Sequence, residues 1–292
     1  MTLYHAVTAV TGRATAEALF DALDEMYPAP KASGTHDRDD GSGIWEVSAY
    51  FEGAPDEAML ALLAAANGAP AFSVAPVGTK DWMAQVRAGL SPVRAGRFVV
   101  YGSHDRDTIP SNLIGLEIEA ALAFGTGHHA TTQGCLLALD GLVRQRIAPR
   151  RIADIGGGTG VLAMAAARVF PAARIIASDI DALATITATA NVRANDLTGR
   201  IRCVTAPGFR HPALRENAPY DLILSNILAG PLKRLAPDMR SHLAPGGILV
   251  LSGILTRQAI SVERVYRGWG FARQQLVRRG EWSVLVLRKP AR

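Results

Sequence analysis

Residues 153–167 read "ADIGGGTGVLAMAAA": the end of an apolar strand with Asp154, a turn carrying Gly156, Gly158 and Gly160, and an alanine-rich helix. Glycines at these positions permit a tight strand-to-helix turn and let a ligand approach the backbone at a helix N-terminus. Alone, such a turn is also compatible with a ligand-free bend. The following strand, "IIASDID" (175–181), ends in Asp179, 23 residues after Gly156. A carboxylate there is placed to accept hydrogen bonds from both hydroxyls of an adenosine ribose. A dinucleotide fingerprint wants Gly or Ala where this chain has Val161. Gly-x-Gly-x-Gly, with Asp154 two residues before the first glycine, favours S-adenosylmethionine over NAD.

Outward from this stretch, apolar strands alternate with helical segments. Strands are expected at 151–155, 174–178, 201–205, 222–225 and 248–252. Nearly all-apolar strands separated by helices predict a parallel sheet covered on both faces, a doubly wound, Rossmann-like α/β fold. Two further strands, 271–277 and 282–287, are joined only by Arg278, Arg279, Gly280 and Glu281. So short a connection requires an antiparallel hairpin, because a parallel crossover needs about a dozen residues. The sheet should therefore end in a reversed last strand, as class I methyltransferases do.

The N-terminal third has a different rhythm. Alternation over 3–10 predicts a strand, and Ala18, Leu19, Ala22, Leu23 and Met26 set a helix over 14–26. Residues 28–43, rich in Pro, Gly and mixed charge, read as a loop. A strand at 44–51, a helix at 55–67 and a strand at 71–77 complete a small α+β, ferredoxin-like unit over 1–78. A linker with a helix follows at 79–96, and the catalytic domain occupies 97–292.

With 49% apolar and 20% charged residues in 292, the chain has the composition of a globular protein and can bury a large core. No window reaches the ~18 uninterrupted apolar residues of a membrane span, and the start lacks a basic stretch followed by an apolar run. A cytoplasmic protein that does not meet a membrane is expected. Cys135 and Cys203 lack paired zinc spacing and read as small buried hydrophobes. The net charge of +5 is local: residues 257–292 hold nine Lys or Arg against Glu263 and Glu281. Such a face suits a polyanion or a ribonucleoprotein, and equally a solvated sheet surface.

The reacting end is sought where the fourth strand of the parallel series stops. In "YDLILSNILAGPL" (220–232), Asn226 stands at a strand's carboxyl end, where doubly wound folds bind ligands. A carboxamide there can accept an N–H bond and aim the lone pair of an amine nucleophile. An N-cap role for the helix from Leu228 onward fits the same residue. In "AFGTGHHATT" (123–132), Gly125 and Gly127 allow a loop around Thr126 to fold over the cofactor, with Phe124 beside it, and Thr131 or Thr132 is the expected N-cap of the next helix. His128 and His129 have no metal-ligand spacing to any Cys, His or carboxylate, so no metal is expected; a proton-acceptor role for one of them is the weaker alternative.

"AFGTGHHATT", "DIGGGTGVLA", "SDID" and "SNILAGPL", in this order, resemble the ribosomal protein L-eleven methyltransferase family, and Asp81-Trp82 resembles its linker. The resemblance covers the catalytic half. It implies an N-terminal substrate-recognition domain, S-adenosylmethionine as methyl donor, and methylation of lysine side chains and the N-terminal amine of ribosomal protein L-eleven. It also implies donor contacts at Thr132, Gly156, Asp179 and Asn226. Phe124, Gly125, Thr126, Asp154, Gly158 and Gly160 complete the expected cofactor site. Gly157 departs from the resemblance, which has Cys or Thr more often there. Two competing functions are a nucleic-acid N-methyltransferase of the same fold, acting on rRNA or DNA, and a non-catalytic ribosome-binding factor. Against the first, Ile227-Leu228-Ala229 follow Asn226 without an aromatic to stack a flipped base. No direct sequence-specific nucleic acid binding is expected.

Overall fold

The computed structural model describes residues 3–24, 26, 30, 32–37, 42–76, 92–118 and 128–291. The chain divides into two compact units, Met1–Gly89 and Leu90–Arg292.

In the first unit, β1 (Leu3–Thr11), α1 (Arg13–Asp24), β2 (Ala32–Asp37), β3 (Ile44–Glu52), α2 (Glu57–Ala66) and β4 (Ser73–Pro76) follow in sequence. The strands form an antiparallel sheet in the order β2-β3-β1-β4. This is the ferredoxin-like βαββαβ arrangement. Alternate residues of β1 and β3, including Ala6, Val10, Val47, Ala49 and Phe51, pack on Leu19 and Leu23 of α1 and Leu60 of α2. Asp56 caps α2 by accepting from Met59 N at 3.0 Å.

One expectation is corrected here: the presumed loop at 28–43 contains β2. The segment "ASGTHD" has no apolar alternation because β2 is an edge strand, paired only with β3 among the described residues. Its main-chain hydrogen bonds place it in the sheet. The expected helix at 81–90, with Asp81 and Trp82, lies outside the described residues.

The second unit opens with β5 (Val93–Ala95), β6 (Phe98–Tyr101) and β7 (Ile114–Glu117), a small three-stranded sheet. Next come α3 (His128–Arg144), β8 (Arg151–Ile155), α4 (Val161–Val169), β9 (Arg174–Asp179), α5 (Ala182–Ala194), β10 (Ile201–Thr205), α6 (Pro212–Glu216), β11 (Tyr220–Asn226), α7 (Ala229–His242), β12 (Leu243–Leu255), α8 (Ala259–Gly268), β13 (Ala272–Arg279) and β14 (Trp282–Arg288). The main sheet runs β10-β9-β8-β11-β12-β14-β13. Its first five strands pair in parallel, and β14 is antiparallel to both β12 and β13. The doubly wound sheet with a reversed last strand is thus present.

Side-chain alternation explains the layering. Ile152, Leu222, Leu224, Val250, Val284 and Val286 enter the core beneath α3 and α4. Their neighbours Ala153, Ile223, Leu249, Leu251, Leu285 and Leu287 enter the opposite core beneath α6, α7 and α8. Five consecutive small or medium residues of α4, Ala163 to Ala167, are buried, so this helix lies close against the sheet. Cys135 is fully buried as expected, whereas Cys203 is only half-buried, packed at the core's margin. Reversal of chain order between β8 and β11 creates the crevice in which the site forms.

Candidate active site

The glycine turn is built by its neighbours. Gly156 and Gly157 both donate backbone N–H bonds to the carbonyl of Ser178, at 2.8 and 2.9 Å, tying the end of β8 to the end of β9. Gly156, Gly158 and Gly160 adopt φ of +72°, +55° and +78°, a region that L side chains rarely occupy. A Cβ on Gly156 would stand 2.3 Å from Ile227 Cγ2, whereas one on Gly158 would meet nothing within 4 Å. Gly160 precedes α4 and lies close to Ala188. Gly157 has only ordinary contacts around its Cβ direction, so a Cβ has room there.

Asp179 closes this turn. Its Oδ2 accepts from Gly158 N and its Oδ1 from Asp181 N, at 2.9 and 3.0 Å. A carboxylate offers about four lone-pair sites, so two fixed backbone donors orient it while leaving acceptors for a ligand's hydroxyls. Asp181 in turn caps α5 through Leu183 N.

Asp154, expected among the cofactor-binding residues, is not part of the cavity's lining. It is fully buried beneath the turn, where Oδ2 accepts from Ala163 N at 3.0 Å, and Oδ1 has no partner among the described residues. Burial pushes its carboxyl up to about 7; the Ala163 N–H opposes that rise and the nearby Asp179 adds to it. Between about pH 4 and 7 the folded chain therefore keeps a proton that the unfolded chain has lost. That stabilising preference is complete below the unfolded value and disappears as pH rises through about 7. From pH 5 to 6.5, Asp154→Asn should remove about 2 kcal/mol of stability loss with rising pH. Urea denaturation of both forms across that range checks this; parallel profiles would contradict a buried, protonated carboxyl.

Asn226 ends β11, and Ser252 of β12 lies opposite it in register. Its Nδ2 donates to Thr131 Oγ1 and Thr132 Oγ1 at 3.3 and 3.4 Å. Ser252 Oγ donates to the Thr131 carbonyl at 3.3 Å, so two strand ends hold the first turn of α3. With its nitrogen engaged, the Asn226 carboxamide keeps its oxygen as an acceptor. Two expectations are corrected. The helix after Asn226 starts at Ala229 with Leu228 before it, so Asn226 is not its cap. Helix α3 starts at His128, which places Thr131 and Thr132 within the helix rather than at its cap. Both threonines are buried.

These groups meet in one cavity of about 370 Å³, within the usual ~300–1,000 Å³ of small-molecule sites. Thr132, Gly156, Gly158, Asp179 and Asn226 line it, as do Thr131, Gly157, Thr159, Val161, Leu162, Ile227, Leu228, Gly253 and Trp282. Asp154 and Gly160 support the turn without lining the cavity. Phe124, Gly125 and Thr126 lie outside the described residues, as do the side chains of His128 and His129.

Sequence reasoning missed Gly253 and Trp282. Gly253 falls at a register shift of β12 with φ +77°, where an added Cβ would stand 2.3 Å from the Ile227 carbonyl oxygen. A glycine ending an apolar strand was its signal. Trp282 carried no local signal: β14 brings it to the cavity from 56 residues beyond Asn226.

The glycine turn, an acid at the second strand end and a carboxamide at the fourth thus share one cavity. Residues 7–290 match the family model "Ribosomal protein L11 methyltransferase (PrmA)". The chain belongs to the ribosomal protein L11 methyltransferase family. Relatives include the ribosomal protein L11 methyltransferases of Bradyrhizobium diazoefficiens, 43% identical over 98% of this chain and 97% of that one, and Rhodopseudomonas palustris, 46% identical over 94% of each. The crystal structure of ribosomal protein L11 methylase from Lactobacillus delbrueckii subsp. bulgaricus superposes with a TM-score of 0.61 at 26% identity, covering 69% of this chain and all of that one. As a member of the L11 methyltransferase family, the protein is a methyltransferase.

Proposed function

We propose that this methyltransferase transfers methyl groups from S-adenosylmethionine to amines of ribosomal protein L11, lysine side chains and the N-terminal α-amine, in the cytoplasm. Supporting the substrate are the names of relatives matched along nearly their whole length. The observation that carries the chemistry is the Asn226 carboxamide, tethered through its nitrogen to Thr131 and Thr132 inside the cavity that Asp179 and the glycine turn also line.

The residues fit the donor. Gly158 has open space where a side chain would project, which lets a nucleoside approach the backbone, and Asp179 is oriented to accept from ribose hydroxyls. When bound, S-adenosylmethionine supplies a methyl group on a cationic sulfur whose departure needs neither protonation nor a metal. The chain must therefore position the amine and keep it neutral. Asn226 Oδ1 accepts an N–H of the incoming amine and turns its lone pair toward the methyl carbon. Deprotonating a lysine of pKa ~10.4 at pH 7 costs about 4–5 kcal/mol, and an α-amine near 7.8 about 1. A dry cavity and an adjacent positive charge both lower the lysine value. Val161, Leu162, Ile227 and Leu228 provide apolar walls, and the Trp282 indole adds apolar surface against which the alkyl stem of a lysine packs. Residues 1–78 are assigned substrate recognition.

Trp282 also reopens the base-methylating alternative, because an aromatic does stand at the cavity although none follows Asn226 in sequence. Incubation with labelled S-adenosylmethionine, undermethylated L11 and rRNA separates the two. Mass spectrometry should find methyl groups on L11 amines, and label confined to RNA would refute the proposal. Asp179→Ala should weaken cofactor binding roughly 10–100-fold, the loss of one or two hydrogen bonds to a charged acceptor. Calorimetric titration with S-adenosylhomocysteine measures it; unchanged affinity would remove Asp179 from the ribose site.

A further inference from the structure

We propose that the edge of the catalytic unit formed by α8 and the β13–β14 hairpin binds the phosphodiester backbone of RNA without reading its sequence. The inference rests on the proposed substrate, since a ribosomal protein is a partner of rRNA, but its warrant is the charge and placement of this edge.

Charge is divided sharply between the units. Residues 1–89 carry five Lys or Arg against twelve Asp or Glu, net −7, whereas residues 90–292 carry 26 against 14, net +12. More than half of that excess comes from residues 257–292, at net +7. Arg264 and Arg267 stand three apart on the exposed side of α8, whose Val262 and Tyr266 face the core. On β13, Arg273 lies opposite Leu287 and Arg278 opposite Ser283. Paired residues share a sheet face, and Leu287 and Leu285 pack beneath α8, so Arg273 and Arg278 emerge on the side of the sheet that α8 covers. The bond from Arg273 Nη1 to Glu263 Oε2, 2.9 Å, fixes that proximity. Arg257 joins the group at the hairpin turn, because its neighbour Thr256 donates to the Glu281 carbonyl and contacts Ser283.

All five arginines are exposed, and Arg273 alone of them forms an ion pair among the described residues. From Arg273 to Arg278 the strand runs about 16 Å at ~3.3 Å per residue, enough to follow several phosphates of one strand. Charges on an edge strand also deter pairing between sheets. That accounts for β13 but not for Arg264 and Arg267 on the helix or Arg257 before it. Guanidinium, with its planar fork of donors, suits phosphate better than a point charge would. Trp282, the strand neighbour of Ser283, alternates to the other face of the sheet and lines the methyl-transfer cavity there, so RNA held on the α8 side leaves that cavity to the protein substrate.

The test is fluorescence anisotropy of a labelled RNA hairpin with the full-length protein between about 50 and 200 mM salt. Wild type should bind with a log–log salt slope of about −4, and Arg264→Gln/Arg267→Gln/Arg278→Gln should bind about tenfold more weakly with the slope reduced by about 2–3. The same charge removal elsewhere, Arg193→Gln/Arg202→Gln/Arg215→Gln, should leave affinity within twofold. No binding by wild type, or equal losses in the two variants, overturns the proposal. Equal affinity for polyglutamate or a DNA duplex overturns RNA as the occupant. Methylation of free L11, read separately and without RNA, should be unchanged in the α8–β13 variant. Its absence from wild type would defeat the substrate assignment without altering the anisotropy result.

Discussion

Replacing Asn226 with alanine is expected to slow methyl transfer a hundredfold or more while leaving S-adenosylhomocysteine affinity within a few-fold. The reasoning is positional. The carboxamide nitrogen is held by Thr131 and Thr132 at 3.3 and 3.4 Å, so Oδ1 has a defined direction within the cavity. Alanine removes the acceptor that aligns the amine, and misplacing a reactant by about 1 Å can cost on the order of 10² in rate. Asn226→Asp keeps an acceptor at this place but adds a negative charge. It should raise the pKa of a bound lysine and move the pH–rate profile to higher pH. Single-turnover rates separate this from a binding defect. If Asn226→Ala loses cofactor affinity and rate in the same proportion, the residue holds the donor rather than aiming the acceptor.

The largest loss of stability is expected from Gly253→Ala. An alanine Cβ would stand 2.3 Å from the Ile227 carbonyl oxygen and 2.7 Å from its carbonyl carbon, and neither is the end of a flexible side chain. The backbone must also hold φ +77°. Overpacking of about 1–3 kcal/mol and a left-handed penalty of about 1–2 combine to roughly 2–5 kcal/mol. The midpoint of thermal unfolding should fall by about 4–20 °C. Gly246→Ala isolates the backbone part: its φ is +75°, with nothing within 4 Å of the added carbon. Should both variants lose the same stability, the close approach to Ile227 contributes nothing. Because Ile227 follows Asn226 and its side chain lies over Gly156, residual folded Gly253→Ala should also be a poorer enzyme.

Periodicity made the catalytic sheet legible. The middles of these strands, such as 175–177 and 222–224, are apolar at every position, and a strand covered on both faces uses such a run. The hairpin of β13 and β14 was legible for a steric reason, since four residues cannot cross a sheet. Strand β2 was not, because an edge strand of mixed polar residues is placed by main-chain bonds to β3, which leave no pattern in side chains. The site divides the same way. Gly156, Gly158, Asp179 and Asn226 sit at strand ends within short motifs, whereas Trp282 reaches the cavity through pairing of β14 with β12. The first turn of α3 looked like a capping segment. It is instead an anchored one, because Asn226 and Ser252 bind Thr131 and Thr132 from two other strands.

What the sequence determined by itself was local and periodic: the alternation that buries each strand, the glycines that open the turn after β8, and acid and amide placed where strands stop. These depend on neighbours within a few residues, and the chain spells them directly. Tertiary structure alone decided that Asp154 goes beneath the turn with one oxygen unpartnered among the described residues, that Gly253 must leave room for Ile227, and that Trp282 lines the cavity. Those outcomes depend on the order and register of strands far apart in sequence, which side-chain alternation does not encode.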